Sequence, residues 1–456
     1  MVMGSLPEQV DLAVIGGGVG GYVAAIRAAE LGLNVTIVEK NKLGGHCLNY
    51  ACIPSKTLIK ISDIYYEAQH SQKFGISVEG AKIDPKAMLN WRNSVSEKLE
   101  KGVATLCNMN QIEVIKGTAT FLNSSTLQLT NGTSLDFKKA IIATGSEPME
   151  LKGLEFGGNV IDYKKALQLD FIPKSMVIVG AGYVSVEIGT LYAKLGTKVS
   201  IIARSDVLSK FDRDAVELVK KKMESLGVKI FTNVAPTSHD ANSLTLSSGE
   251  KIEAEIIVVA VGLHPYTDGL GLENTKVKVN DKGFVAVDER LQTEDENILA
   301  VGDVIGEPML AHKAIRQGVV AAEVAAGQNS AYDNMVVPAV IFSDPEIAIA
   351  GAMEGEGIQV AKFPLSALGR AIALDATNGF AKVAYDGDGM IKGIEIVSDE
   401  ANAMISEAAL AIEMGATLED IAATIHPHPT YSEAVQEAAE AALGKGIHFF
   451  YPKKKQ

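Results

Sequence analysis

The chain has 456 residues, 47% of them hydrophobic, with a formal net charge of −14, which is too long for one core and suits about three domains. The acidic balance disfavours nucleic acid and anionic membranes as partners, and no run approaches the roughly 18 uncharged apolar residues that span a bilayer. Three cysteines in so long a chain make no secreted disulfide framework, and the first ten residues show no export signal, so a cytoplasmic protein is expected.

In chain order, segment 12–39 comes first. It reads as strand, turn, helix and second strand, with Gly16-x-Gly18-x-x-Gly21 at the turn and Glu39 ending the second strand, followed by Lys40. Such glycines let backbone approach a pyrophosphate at a helix N-terminus, and the acid can accept bonds from an adenosine ribose. Next comes Gly44-Gly45-His46-Cys47-Leu48-Asn49-Tyr50-Ala51-Cys52-Ile53-Pro54-Ser55-Lys56. Positions i and i+5 of a straight helix lie about 7.5 Å apart along its axis, beyond the reach of a disulfide. Cys47 and Cys52 therefore bridge only across irregular backbone, with Pro54 starting a helix over 55–69 and Cys52 near its positive end, where the dipole lowers a thiol pKa. Cys107 has no partner nearby in sequence and reads as packing.

Buried-type strands ending in glycine turns follow at Ala140–Gly145 and Ile257–Gly262, with Thr144-Gly145 and Gly262 at the turns. Between them, segment 176–203 repeats segment 12–39 at a constant offset of 164 positions, Gly16 to Gly180 and Gly18 to Gly182. The second copy has Ser185 for the third glycine and Ala203 for the acid, with Arg204 next. Loss of a carboxylate and gain of a guanidinium suit a 2′-phosphate, hence NADP, although a surface arginine reads the same way. Another strand, Asn297–Ala300, runs into Gly302-Asp303, and a helix follows from Leu310-Ala311-His312 to about Gly327. From about Val336 the pattern turns antiparallel, then helical from Ala401, with a last helix over Tyr431–Leu443 and a basic tail, Lys453-Lys454-Lys455, read as a solvated end. Just before the last helix, His428 stands five residues ahead of Glu433, a spacing that allows a carboxylate-steered base. Thr430-x-x-Glu433 reads equally as a capping box.

The Gly44–Lys56 stretch resembles the GGTCxNxGCxPSK signature of the FAD-dependent pyridine-nucleotide disulfide oxidoreductases. The likeness covers nearly the whole chain, through both fingerprints, Gly302-Asp303, Val337–Glu346 and His428–Glu433. It implies an α/β fold with two Rossmann-like dinucleotide-binding domains, for FAD (1–147 and 267–335) and for NAD(P) (148–266), plus a C-terminal α+β dimerisation domain (336–456). It implies FAD, then NAD or NADP, and a homodimer in which His428 serves the other subunit's disulfide. Cys47 would face the substrate and Cys52 the flavin, with Lys56 and Glu187 paired beside the ring. Asp303 would hold the ribityl chain, Leu310, Ala311 and His312 the pyrimidine end, and Tyr183 would cover the nicotinamide pocket; Gly45, Lys40, Thr144 and Gly145 complete the flavin set. From sequence alone, Lys56 is a helix lysine and Glu187 a first-turn acid complementing the dipole.

Within the family, Leu48 and Ile53-Pro54-Ser55-Lys56 are most similar to the branch that oxidises dihydrolipoamide, free or carried on a partner's lipoyl domain, in some cases within a 2-oxo-acid dehydrogenase complex. An NADPH-dependent reductase of another disulfide or of a metal ion is the alternative; no residue is assigned to a resident metal. His46 in place of Thr, Tyr50-Ala51 in place of a small residue and Gly, and the missing second acid depart from the pattern.

Overall fold

The strand Glu8–Ile15 has Leu12, Ala13 and Val14 wholly inaccessible to water, the unbroken apolar run of a strand covered on both faces. The protein, a computed structural model that describes residues 8–450, forms two compact units. One runs to Ile172 and resumes over Val258–Asp333; the other takes Pro173–Ile257 and continues from Asn334. The Lys453–Lys455 tail lies outside the described residues.

In the first unit, Glu8–Ile15 pairs in parallel with Val35–Glu39 on one side and Ser134–Ile142 on the other. Glu113–Lys116 adds a further parallel strand outside Val35–Glu39, and Ile298–Ala300 lies along Ser134–Ile142. Helices Val19–Glu30 and Ala311–Ala325 pack closely because small residues meet there: a Cβ on Gly318 would lie 2.5 Å from the Gly20 carbonyl oxygen. The fingerprint turn and the Gly302-Asp303 turn each follow a parallel strand and precede one of these two helices, where ligands of such sheets bind.

The second unit repeats the arrangement. Ser175–Val179 pairs in parallel with Lys198–Ile202, and that strand with Lys229–Phe231, while helix Tyr183–Lys194 connects the first two. The segment after Asn334 is antiparallel, as expected, in the order Ala339–Ile341, Glu346–Gly351, Ile391–Ser398, Phe380–Tyr385, Gln359–Pro364. Helices Ala401–Glu413 and Glu433–Ala442 bury Met404, Ile405, Ala408, Val435 and Ala438 in a common core with it.

Across this sheet Lys362 faces Lys382, and Lys382 faces Glu395. Lys382 bonds Asp212 at 2.8 Å and Asp214 at 3.1 Å, and Lys362 bonds Asp214 at 2.8 Å. Asp212 also caps helix Arg213–Ser225. Both lysines are thus turned to aspartates, and neither oxygen of the wholly buried Glu395 has a hydrogen-bond partner among the described residues. Burial, reinforced by the Asp212 charge and opposed by Lys382, pushes this carboxyl up to about 7. Because the folded state keeps a proton that the unfolded state releases near pH 4.5, stability falls as pH rises from there to about 7 and is then constant. Glu395→Gln is therefore expected to match the wild type at pH 5 and to exceed it by up to about 3 kcal/mol at pH 8. Chemical denaturation at the two pH values checks this; an equal difference at both contradicts it.

Candidate active site

Two left-handed glycines start the cysteine segment. Gly44 has φ 87° and Gly45 φ 57°; a Cβ on the first would lie 2.4 Å from Leu48, and on the second 2.7 Å from the Gly18 Cα. The chain thereby enters a one-turn helix, Gly45–Asn49, carrying Cys47, packed against the first fingerprint. Ala51, at φ −130° and ψ −92°, breaks the helical path, and a new helix runs Cys52–His70. That helix begins three residues before the expected Ser55. Pro54 is its third residue, where no intrahelical N–H bond is needed.

The break brings together sulfurs that a continuous helix would separate. Both stand as half-buried thiols, and Cys47 shares a hydrogen bond with Cys52. That bond, burial and negative charge on Cys52 push the Cys47 thiol far above its usual range, Asp303 adds to the effect, and Lys56 opposes it. Lys56 lies four residues after Cys52 on the same helix face. Cys107 is packed in the core with Leu12, Val14 and Ala24.

Around this pair the first unit builds a cradle. A Cβ on Gly21 would sit 1.9 Å from the Gly16 oxygen, so only glycine lets the helix approach the strand here. Gly18 caps helix Val19–Glu30 without a side-chain bond, leaving its first amides available. Glu39 accepts the Gly17 N–H at 2.7 Å and the Asn41 N–H at 2.6 Å. Thr144 donates to the Tyr266 carbonyl at 2.6 Å, the Tyr266 N–H donates to Gly145, and Lys40 lies 3.5 Å from the Tyr266 ring centre. Gly262 turns at φ 137° beside Met149. Asp303, in the turn Gly302–Ile305, accepts a bond from Ser146 at 2.7 Å; burial raises its carboxyl against the opposing pull of Ser146 and Lys313. Leu310 likewise begins helix Ala311–Ala325, which carries His312, without a side-chain cap. Two uncapped helix N-termini, a strand-end carboxylate and a half-buried acid fit an FAD molecule.

Sequence reasoning missed Glu147 and Lys164. Glu147 bonds Lys164 at 2.5 Å, lies 3.4 Å from Lys40 and 3.7 Å from His46 Nε2, while the His46 ring meets Tyr50 edge-on at 6.0 Å. Two of the departures from the family signature, His46 and Tyr50, thus contact each other. Burial, then the Lys164 charge, pushes His46 down to about 4 despite Glu147. Glu147 sits three residues past Thr144, which was the one available pointer to it.

In the second unit Gly180 turns at φ 132° and Gly182 caps helix Tyr183–Lys194 without a side chain. Ser185, wholly buried, occupies the third glycine's place, and its hydroxyl has no hydrogen-bond partner among the described residues. Tyr183 is exposed at the helix start; Ala203 is buried and Arg204 exposed. Glu187 lies in the second turn of its helix and not the first, buried, and one of its oxygens accepts the Phe342 N–H at 3.1 Å.

The two readings of Glu433 prove compatible. One oxygen is 2.8 Å from His428 Nδ1 and the other accepts the Thr430 N–H at 2.8 Å, while the Thr430 hydroxyl turns away to Pro427. Only the Glu half of the capping box forms. Against its partial burial, the His428 bond and the Thr430 amide hold this carboxyl low, and His428 itself is 77% exposed. His426 instead is buried and bridges Glu407 and the Thr424 carbonyl.

Residues 10–318 match the pyridine nucleotide-disulphide oxidoreductases, and residues 337–439 match that group's dimerisation domain. The chain belongs to this family. It is an FAD-dependent disulfide oxidoreductase that exchanges electrons with NAD(P). It is 46% identical to the dihydrolipoyl dehydrogenase of Geobacillus stearothermophilus, covering 98% of this chain and 99% of the relative, and 43% identical to that of Bacillus subtilis, with the same coverage. Among solved structures, LpdA from Mycobacterium tuberculosis superposes with a TM-score of 0.89 at 25% identity, over 95% of this chain and 100% of that one. The HOCl-induced flavoprotein disulfide reductase RclA from Escherichia coli gives 0.85 at 25% identity, over 94% and 99%. Among the described residues no helix is long and apolar enough to cross a membrane.

The position of His46 carries a direct test. Its imidazole is expected to stay neutral from pH 8 to pH 5 in an NMR titration, because protonation near 4 is set by burial and Lys164. A midpoint near the ordinary 6.5 contradicts that assignment.

Proposed function

We propose that the protein oxidises dihydrolipoamide, presented free or on a lipoyl domain of a 2-oxo-acid dehydrogenase complex, and prefers NADP⁺ to NAD⁺ as acceptor. The observation that carries this reading is the hydrogen-bonded Cys47–Cys52 pair across the helix break, beside Lys56. Relatives named dihydrolipoyl dehydrogenase, similar over nearly their whole length, support the substrate.

FAD, when bound, relays the electron pair between the sulfurs and the nicotinamide. The residues that would hold it are Gly16, Gly18, Gly21, Glu39, Lys40, Gly45, Lys56, Thr144, Gly145, Gly262, Gly302, Asp303 and the helix start Leu310–His312; Gly180, Gly182, Tyr183 and Arg204 would hold the nicotinamide nucleotide. Glu433 fixes the His428 Nδ1–H, leaving Nε2 as the proton acceptor. Nε2 takes a proton from one substrate thiol, and the thiolate attacks Cys47 in the oxidised pair. Cys52 departs as thiolate near the Lys56 ammonium. The second substrate thiol then displaces Cys47, which leaves with a proton. In the homodimer proposed here, His428 of one subunit serves the disulfide of the other.

Arg204 and Ala203 favour NADP⁺, since the buried Ala203 supplies no carboxylate to repel a 2′-phosphate and the exposed Arg204 can pair with one. The same two residues, with the likeness to RclA, favour the second reading, an NADPH-dependent reductase of another disulfide or a metal ion. Steady-state turnover of dihydrolipoamide with each acceptor separates them. The expected result is turnover with both and a higher kcat/KM for NADP⁺, which Ala203→Glu with Arg204→Met shifts about tenfold or more toward NAD⁺. No turnover removes the substrate, and an unchanged ratio removes the 2′-phosphate argument.

A further inference from the structure

Dithiol oxidation leaves a surplus proton on its base that must be shed before the next turnover. A substrate dithiol gives two electrons to the Cys47–Cys52 disulfide and loses two protons. One proton ends on the Cys47 thiol, Cys52 ends as thiolate, and the second proton must leave the site. His428 can accept it, but a further substrate cannot react until His428 is neutral again.

The segment after helix Glu433–Ala442 bears on this step. Gly444, at φ 70°, closes the helix, with Lys445 N–H bonded to the Glu440 carbonyl, and the chain reverses. Phe449 is pinned edge-on against the buried Phe363 at 6.5 Å. This reversal carries His448 back to Glu437, with which its Nδ1 shares a hydrogen bond. Glu437 is one turn beyond Glu433, so the two carboxylates share one helix face, about 5–6 Å apart at Cβ. The other Glu437 oxygen is buried and has no hydrogen-bond partner among the described residues, so His448 is the side chain this acid serves. Each imidazole is largely exposed, 77% for His428 and 70% for His448. The dyads also feel one another: His448 lowers the Glu433 carboxyl, and Glu433 joins Glu437 and Glu440 in raising His448.

We propose that His448, held by Glu437, is the outlet that takes the surplus proton from His428 and passes it to solvent, resetting His428 between turnovers. The proton moves from His428 Nε2, directly or through water, to the neutral His448 and then to buffer; no electrons move in this step. His448 acts through His428 and does not touch substrate. The proposal rests on the reading of His428 as the base.

The test uses full-length, FAD-loaded protein and dihydrolipoamide, with an indicator dye reporting proton release in a single turnover alongside steady-state kcat. In dilute buffer, His448→Gln is expected to release its proton late and to lose about tenfold in kcat, with KM for the nicotinamide nucleotide unchanged. Added imidazole should restore most of the loss, whereas wild type ignores buffer concentration. Glu437→Gln, which keeps the fold's hydrogen-bond shape, should show the same buffer-dependent loss. His448→Gln with wild-type proton release, or with a loss that imidazole cannot restore, overturns the relay. His428→Gln measured in parallel separates the failures: wild-type turnover there removes the base itself, whereas a slow His428→Gln beside a normal His448→Gln removes only the relay.

Discussion

The redox site depends on a failure of helix continuity. Two thiols five positions apart cannot meet on one helix, and here the chain makes a single turn, breaks at Ala51, and starts again at Cys52. The break is fixed from both sides. Before it, Gly44 and Gly45 hold backbone that a Cβ would obstruct. Within it, the buried Asn49 amide bonds the Leu43 and Gly45 carbonyls, and Arg92 bonds the Asn49 carbonyl. These bonds engage the Leu43, Gly45 and Asn49 carbonyls of the irregular segment and hold it in place, while Asn49 Oδ1 and Arg92 Nε have no hydrogen-bond partner among the described residues. That hold keeps the two thiols within hydrogen-bonding reach of each other.

Charge then makes the two sulfurs unequal. The Cys47 thiol keeps its proton because its hydrogen bond to Cys52, its burial and the charges of Cys52 and Asp303 all oppose ionisation, while Lys56 alone among these groups acts the other way. A proton retained on one sulfur leaves the other as the natural seat of negative charge beside a lysine. The same logic governs His46, one residue earlier: burial keeps it neutral, so the cations near Cys47 are the ammonium groups and not this imidazole.

The two nucleotide folds, the antiparallel C-terminal sheet and the cysteine and His428–Glu433 motifs were legible because each imposes a local chemical demand. A strand–glycine–helix turn needs glycine where helix and strand touch, as Gly21 against Gly16 shows, and a buried parallel strand needs an unbroken apolar run. Contacts between distant residues left no such trace. Glu147 meets Lys40 across 107 positions, Lys382 meets Asp212 across 170, and Glu187 meets Phe342 across 155. The helix start at Cys52 was hidden because Pro54 is tolerated anywhere in the first turn, not at one position. His448 was hidden because its partner lies one turn past a motif that already explained the helix.

The central claim is that exchange with substrate occurs at Cys47 while Cys52 is the sulfur that resolves it. Mass spectrometry of single-cysteine variants incubated with oxidised lipoamide tests this most directly. Cys52→Ser is predicted to accumulate a lipoyl mixed disulfide that peptide mapping places on Cys47, while Cys47→Ser stays unmodified. A stable adduct on Cys52 in the Cys47→Ser variant, with none on Cys47, would contradict the account.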